Sequence, residues 1–360
     1  MTRMTSKERV LRSIEHQEVD RMPSYFLSTW SVNQALAGKF NLDASSVSCM
    51  DTGHGELIER LGCDVRYVMP QWNGPETADR KHFSCGSVHT ALHGGTMVFE
   101  KMPLEDAASV DDIEKYPKWP NPDWDVYQIP AGLRPSLMDK AVCAYDMNIL
   151  LLYAMGMRGM ENFMMDMASE PEMAHAVMRK ISDYNLERIR RILTLNDGLI
   201  DIVGIGDDVA GQNGMFFSVE MWREYIKPYL RKAVELCHEF DVVPYFHGCG
   251  GFSVLYRDFI EMGITCTGRL QTEAKGNDFA AIKKEFGKEL CLWGAIDGQH
   301  ILIEGTPEEV REHVKDLLRK NYDGTGFVAG PTHSFTEDTP VENVIMVYEA
   351  LNDNNKEAYT

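Results

Sequence analysis

A histidine and a cysteine stand two residues apart at the end of an apolar stretch, where they could bind one metal ion. The stretch covers residues 242–247, and His247 and Cys249 follow one another across Gly248. Strand residues at i and i+2 point to the same side, so the imidazole and the thiol could reach one point. These two ligand types suit zinc. The alternative is a structural histidine beside an inert buried thiol.

The neighbouring glycines favour a ligand site over that alternative. Gly248, Gly250 and Gly251 let the backbone turn and let a ligand approach closely. A phosphate cradle ahead of the next helix is the weaker interpretation, since no lysine follows the glycines. His333 would supply a third metal ligand, and three protein ligands with one open position are typical of a catalytic zinc site.

Other polar residues follow apolar stretches that we predict to be strands. Asp207 and Asp208 could orient a substrate or donate a proton if burial raises a pKa, although a solvated loop that caps a helix explains them too. Gln271 and Asp297 are candidate substrate-binding residues at the corresponding positions of two later strands. Asp297 is equally consistent with a loop role.

Strands alternate with helices along the chain, which predicts parallel strands joined by helical crossovers. The predicted strands are Ser24–Leu27, Asp64–Met69, Val142–Tyr145, Leu199–Gly204, Val242–His247, Ile264–Leu270, Leu290–Ala295 and Phe327–Gly330. Eight such strands close an α/β barrel of the (β/α)8 TIM type, whose active site lies at the carboxyl ends of the strands. An open doubly wound sheet is the rival fold.

The barrel is predicted to be a single domain over residues 1–360 with two additions. A helix at Lys7–His16 precedes the first strand, and alternating runs around Gly94 and Gly95 predict a β-hairpin insertion at residues 80–102.

The composition excludes several classes of protein. The net charge of -19 argues against nucleic acid or an anionic membrane as a partner. The first residues show no secretion signal, and no apolar run is long enough to span a bilayer. The 8 cysteines form no CxxC pair and indicate reduced thiols, so we expect a cytoplasmic protein. No P-loop, GxSxG or dinucleotide-binding motif is present.

Several short motifs together resemble the uroporphyrinogen decarboxylase superfamily over nearly the whole chain. They are Arg9-Val10-Leu11, Asp20-Arg21-Met22-Pro23, Gly206-Asp207-Asp208, Met221-Trp222-Arg223-Glu224, His247-Gly248-Cys249-Gly250, Trp293-Gly294-Ala295-Ile296-Asp297 and Gly330-Pro331-Thr332-His333. True decarboxylases of this superfamily anchor an acidic porphyrinogen with arginines after the first strand, whereas Ser24–Glu59 contains no arginine here.

The His-x-Cys pair places the resemblance in the cobamide-dependent methyltransferase branch, similar to corrinoid-dependent O-demethylase components. That branch implies zinc at His247 and Cys249 together with a later cysteine, whose position is held here by His333. It also implies a corrinoid (cobalamin) cofactor carried by a partner protein, because this chain has no Asp-x-His-x-x-Gly segment. The superfamily often forms dimers, so a homodimer is an expected assembly.

The resemblance implies two reactions, and both use zinc as a Lewis acid. In the first, a small methylated donor such as a methoxy-aromatic compound passes its methyl group to the cob(I)amide of the corrinoid protein, with Asp207 or Asp208 sharing a proton. In the second, a thiol takes the methyl group from a methyl-corrinoid. One thiolate among the ligands favours the first reaction. Tyr25, Trp30 and Trp72 could wall an aromatic ring. A metal-free decarboxylase is the alternative with different chemistry, and a barrel that only binds a partner is the non-enzymatic one.

Overall fold

Seven parallel strands form one curled sheet in the computed structural model, which describes residues 4–43, 55–74 and 102–353. Their order is β1-β4-β5-β8-β9-β10-β11. These strands are β1 Val65–Val68, β4 Ala141–Ile149, β5 Ile202–Gly206, β8 Val243–His247, β9 Cys266–Leu270, β10 Cys291–Ile296 and β11 Phe327–Pro331. Two short antiparallel pairs are β2 Gln71–Trp72 with β3 Asp125–Val126, and β6 Ala210–Gly211 with β7 Gly214–Met215. The predicted hairpin at 80–102 lies outside the described residues, apart from Met102.

The segment after Pro23 joins the two edges of this sheet. The Tyr25 amide donates to the Ala329 carbonyl at 3.1 Å, and the Ala329 amide donates to the Pro23 carbonyl at 2.9 Å. On the other side, the Asp64 amide donates to the Ser24 carbonyl at 2.9 Å. The predicted strand Ser24–Leu27 therefore lies between β11 and β1, which agrees with a barrel. It is not a regular strand, however: it pairs through single bridges at Ser24 and Ser28, and Pro23 has no amide hydrogen to extend the ladder.

Helices cover the outside of the sheet. They are α1 Ser6–Ile14, α2 Trp30–Phe40, α3 Gly55–Leu61, α4 Val110–Glu114, α5 Arg134–Leu137, α6 Leu151–Arg158, α7 Met160–Ser169, α8 Pro171–Leu195, α9 Val219–Tyr225, α10 Lys227–Glu239, α11 Tyr256–Met262, α12 Phe279–Phe286, α13 Ile301–Glu304, α14 Pro307–Lys320 and α15 Val341–Asp353. The helical segment between β7 and β8 is divided into α9 and α10 because Pro228 stands in the first turn of α10. No helix in the described ranges is both long and apolar enough to cross a membrane.

The predicted N-terminal helix packs beneath the barrel and explains two of the sequence motifs. Thr5 and Glu8 form a capping box at the start of α1. Arg9 and Arg21 both donate to the carboxylate of Asp64, which is fully buried just before β1. The charges of this cluster are paired, as burial requires. These motif arginines thus hold the N-terminal extension against the sheet.

An aromatic core fills the inside of the barrel, separate from the larger apolar layer between sheet and helices. Tyr245 lies 4.6 Å from Trp293 between ring centroids, and Trp293 stacks on Tyr25 at 5.6 Å. Tyr245 and His247 are two residues apart on β8, so His247 points inward above this aromatic floor. The core therefore closes the barrel below the strand ends where chemistry was predicted.

Candidate metal centre

The loop after β8 is held close to the loop after β5 by its glycines. A Cβ on Gly248 would meet the Asp207 carbonyl at 2.7 Å, and one on Gly250 would meet the Ala210 carbonyl at 2.6 Å. Gly250 also has a φ of +84°, which glycine adopts without strain. The two loops consequently bring His247 and Cys249 next to Asp208.

The amides of the glycine loop are already used, which argues against a phosphate cradle. Gly248 donates to the Gly268 carbonyl at 3.0 Å, and Gly251 donates to the Gly211 carbonyl at 3.0 Å. The Cys249 amide donates to Asp208 Oδ1 at 2.8 Å, and the Gly250 amide to Gln271 Oε1 at 2.8 Å. A phosphate needs free amides that point at it, so the loop serves to place side chains.

Asp208, His247 and Cys249 converge on one point. One ligand atom from each lies within 4.8 Å of the others, and all three residues are half-buried. Two ligands of a tetrahedral zinc ion are about 3.3–3.8 Å apart, given metal–ligand bonds of about 2.0–2.3 Å. Small side-chain adjustments would therefore seat an ion, and carboxylate, imidazole and thiolate are all zinc ligands. Three ligands leave one position open for a substrate atom.

The two neighbouring aspartates do different things. Asp207 is buried and accepts hydrogen bonds from the amides of Leu150 (3.1 Å), Leu151 and Leu152 (3.1 Å), so it caps the start of α6. Burial raises the pKa of Asp207 to about 7, although the backbone donors oppose this shift. Asp208 instead faces the cysteine and histidine, which makes it the aspartate within reach of a reacting group.

His247 has a close partner on β4. The Tyr145 hydroxyl lies 3.1 Å from His247 Nδ1, and the two rings stack with centroids 5.3 Å apart. Asp146 Oδ1 lies 3.7 Å from the same nitrogen. Such contacts fix the orientation of a ligating imidazole and leave Nε2 to face an ion.

The thiol of Cys249 keeps its proton when no cation is bound beside it. Burial and the carboxylate of Asp208 raise the pKa of the Cys249 thiol well above its ordinary value. A metal ion reverses this preference, because the thiolate is the ligand and the proton is released on binding.

His333 lies at the same barrel mouth but not within the 4.8 Å cluster. It follows β11. Loss of hydration and the nearby charges of Arg269 and His247 lower the pKa of His333 to about 4, and the carboxylate of Asp208 partly opposes this shift. His333 is thus neutral at pH 7 and near the cluster, and its role as third ligand stays a prediction.

The other predicted substrate-binding residues make local contacts. Gln271 is buried, and its Oε1 accepts from Gly250 and from Gln212 Nε2 at 2.9 Å. Asp297 accepts from the amides of Gln299 and His300 at 2.9 Å and so shapes the turn before α13. Both side chains therefore hold loops at the mouth, and direct substrate contact stays a prediction for them.

The aromatic candidates are divided between core and surface. Tyr25 is fully buried, and its hydroxyl donates to the Pro331 carbonyl. Trp30 begins α2 and is 57% exposed. Trp72 packs edge-on against Trp124, with centroids 5.6 Å apart. Of these three residues only Trp30 has a largely exposed indole ring, so it is the one member of the predicted aromatic wall whose ring is open to solvent.

Two residues near the cluster were missed from the sequence. Tyr145 lies 102 residues before His247, so no local spacing could connect them. Arg269 is buried in β9, with a guanidinium that donates to the Tyr145 hydroxyl. A charged residue inside an otherwise buried parallel strand was the available signal, because such strands are normally apolar throughout.

Comparison with known structures agrees with the overall fold. A methyltransferase from Methanosarcina mazei has a similar structure, with a TM-score of 0.65 and 16% identity over 97% of this chain and 99% of that one. The shared architecture is the curled parallel sheet with its helical cover. A likeness at this identity shows the fold.

Curated relatives of similar sequence carry two kinds of name. A methylcobamide:CoM methyltransferase of Methanosarcina acetivorans is 24% identical over 97% of this chain and 98% of its own. The M. mazei protein of that name is 24% identical over 88% and 90%. A uroporphyrinogen decarboxylase of Chlorobaculum tepidum is 23% identical, but over 51% of this chain and 50% of its own.

The family model for uroporphyrinogen decarboxylase (URO-D) matches residues 149–353, which is more than half of the chain. That range includes β5 to β11 and all three members of the convergent cluster. The chain therefore belongs to the uroporphyrinogen decarboxylase family.

Proposed function

We propose that this protein is a zinc-dependent methyltransferase that moves a methyl group from a small methylated donor, of the methoxy-aromatic class, to the cob(I)amide of a separate corrinoid protein. The observation that carries the proposal is the convergence of Asp208, His247 and Cys249 at the barrel mouth. Relatives named as methylcobamide methyltransferases cover nearly the whole chain and support the same chemistry.

The residues present fit a zinc ion. Asp208, His247 and Cys249 would hold it, and their donor atoms are carboxylate oxygen, imidazole nitrogen and thiolate sulfur. Bound zinc would supply a Lewis acid for the oxygen or sulfur atom of the substrate. Tyr145 would orient His247, and the neutral His333 would lie near the cluster.

A decarboxylase is the less supported function, although the family bears that name. The decarboxylase relative matches about half of the chain. The stretch Ser24–Glu59 also offers no arginine for the carboxylates of a porphyrinogen. The resemblance further implies that decarboxylases lack the His-x-Cys pair, and here that pair is two thirds of the convergent cluster.

The ligand types favour the demethylating direction. Asp208 and Cys249 contribute one hard oxygen and one soft sulfur donor. A carboxylate gives less electron density to a metal than a second thiolate would, so the site would be the stronger Lewis acid. Stronger polarisation suits a methyl ether, whose oxygen leaves as a phenolate.

A second candidate is transfer from a methyl-corrinoid to a thiol. The names of the two methyltransferase relatives favour it, since both are methylcobamide:CoM methyltransferases. The same three ligands would hold the thiol sulfur as thiolate. The two candidates differ in the direction of transfer and in the substrate atom.

Metal analysis followed by spectroscopy tests the proposal. Purified protein should hold about one zinc ion per chain, and chelation should abolish methyl transfer. Mixing with free cob(I)alamin and a methoxybenzoate should give the visible spectrum of methylcobalamin. Reaction of methylcobalamin with coenzyme M alone would establish the second candidate instead. Absence of zinc, with activity unaffected by chelation, would refute both.

A further inference from the structure

Arg269 is a buried cation with no carboxylate partner among the described residues. Its side chain belongs to β9, and the residue is 5% exposed. Its guanidinium donates one hydrogen bond, to the Tyr145 hydroxyl, and its Nε is buried without a partner. Burying an unpaired charge costs free energy, so a residue of this kind needs a reason to be retained.

An irregularity in β9 turns Arg269 toward the inside of the barrel. Cys266 packs in the interior core and Leu270 in the outer layer, although regular alternation would place them on the same side. The pairing of β9 with β10 shifts its register between Leu292 and Gly294, as at a β-bulge. The guanidinium also lies over the Tyr145 ring, 5.8 Å from its centroid.

Tyr145 connects Arg269 to the candidate metal centre. Its hydroxyl accepts from Arg269 and lies 3.1 Å from His247 Nδ1. The charge of Arg269 also acts on Cys249, where it opposes the overall rise of the thiol pKa, and on His333, where it contributes to the lowered pKa. The guanidinium is therefore next to the point on which the three candidate ligands converge.

Counting charges shows what this pocket lacks. A zinc dication, the Cys249 thiolate and the Asp208 carboxylate would sum to zero, and His247 would be neutral. Arg269 and the Asp146 carboxylate, which lies beside His247, would then balance in total charge, but no ion pair joins them in the described residues. The guanidinium therefore lacks an acceptor of its own, and a bound anion would supply one.

We propose that Arg269, assisted by Tyr145, forms a subsite for a carboxylate or sulfonate group on the small molecule that exchanges the methyl group. This inference rests on the proposed function for the identity of that molecule. The substrate would then be an organic anion, with its acidic group on Arg269 and its methyl-bearing or thiol end at the metal.

Binding to the protein as purified, with the metal it holds and without corrinoid, tests the subsite. Titration calorimetry with benzoate and with ethanesulfonate should show saturable binding to the wild type, while neutral benzamide binds weakly or not at all. In Arg269→Met the binding of the anion should weaken about tenfold or more, because a charge-assisted hydrogen bond is lost. The anion that binds more tightly to the wild type identifies the acid class. Arg257→Met is the matched control, since Arg257 is exposed and paired with Glu289, and it should bind like the wild type.

Thermal melting distinguishes a binding role from a structural one. If Arg269 is kept for an anion, ligand-free Arg269→Met should melt at the same temperature as the wild type or higher, and the anion should no longer raise it. Arg269→Lys should stay folded and bind benzoate several-fold more weakly, since the planar fork is lost. Equal anion binding in wild type and Arg269→Met would overturn the subsite. So would the absence of anion binding to the wild type.

The result is separable from that of the proposed function. Anion binding that depends on Arg269, in a protein that never holds zinc, would support the subsite and refute the zinc methyltransferase. A protein that holds zinc and transfers methyl groups but binds no anion would support the zinc methyltransferase and refute the subsite.

Discussion

The barrel mouth carries two polar clusters that differ in what their side chains leave free. The metal-centre cluster consists of Asp208, His247 and Cys249, after β5 and β8. The carboxyl-pair cluster consists of Glu273, Asp297 and Thr332, after β9, β10 and β11. In the first cluster three potential ligands face one another, whereas the second is satisfied by its own hydrogen bonds.

The carboxyl-pair cluster ties three loops together. Glu273 Oε1 accepts from the Gly298 amide and from the Thr332 hydroxyl, each at 3.1 Å. Glu273 Oε2 has no donor partner, and it becomes satisfied when it carries a proton and donates to Asp297. Accordingly, the pKa of Glu273 is raised and that of Asp297 is lowered. A shared proton stabilises the pair as a clamp.

A polar residue at a strand end is not by itself a candidate for chemistry. Asp207 and Asp297 each accept hydrogen bonds from two or more backbone amides, and Asp297 also faces the side chains of His300 and Glu273. Asp208 accepts one amide hydrogen, from Cys249, and keeps its other acceptor sites near a histidine and a thiol. Spare binding capacity at one point is what distinguishes the metal-centre cluster.

Removing the thiol should have the largest effect. Cys249→Ala deletes one of three candidate ligands, so zinc affinity should fall by at least about 100-fold, beyond what loss of an outer contact costs. Competition with a chromophoric chelator measures this. Cys237→Ala is the matched control, because Cys237 is a buried thiol of the outer layer, and it should keep its zinc. Unchanged affinity in Cys249→Ala would remove the cysteine from the ligand set.

The neighbouring aspartates offer a comparison one residue apart. Asp208→Asn should weaken zinc binding about 10- to 100-fold, since a neutral amide replaces a carboxylate ligand. Asp207→Asn should instead lower the free energy of unfolding by about 1–3 kcal/mol, because one of its two accepting oxygens becomes an NH2 group that faces a backbone N–H donor. Zinc titration and urea unfolding of both variants separate the roles. A loss of zinc in Asp207→Asn that matches Asp208→Asn would show that the distinction drawn between them is wrong.

Much of the barrel could be predicted because its elements are local. From β5 to β11 each strand of the seven-stranded sheet is a short, mostly apolar run followed by a helix, and that half of the chain follows the expected order. Ser24–Leu27 was harder, since its pairing depends on Ala329, about three hundred residues away. The position of the site at the strand ends follows from the fold class alone.

The details of the site could be predicted only in part. His247 and Cys249 share a strand end, so their meeting follows from the spacing. That Asp208 joins them, while His333 lies outside the close cluster, depends on how tightly the glycine loops pack. Arg269 was not predicted as a site residue, because the irregularity in β9 places its side chain on the opposite side of the sheet from the one that regular alternation gives.

The smallest effect concerns the proton of the carboxyl-pair cluster. Burial and Asp297 raise the pKa of Glu273 from 4.5 to about 7, so between these values the folded protein binds a proton that the unfolded chain releases. This contribution to stability is complete below pH 4.5 and is lost as the pH rises through 7. Glu273→Gln keeps a donor toward Asp297 at every pH, so its stability relative to the wild type should rise by roughly 1–3 kcal/mol between pH 5 and pH 8.

Urea unfolding at several pH values measures the difference, with the exposed Glu308→Gln as control. His300 and His313 also contact Asp297 and are retained in both proteins, so their titration cancels in the comparison. Zinc affinity in Glu273→Gln should equal that of the wild type, because the carboxyl-pair cluster shares no residue with the candidate ligands. Parallel stability curves, or a loss of zinc, would mean that the two clusters are not the separate units that their hydrogen bonds indicate.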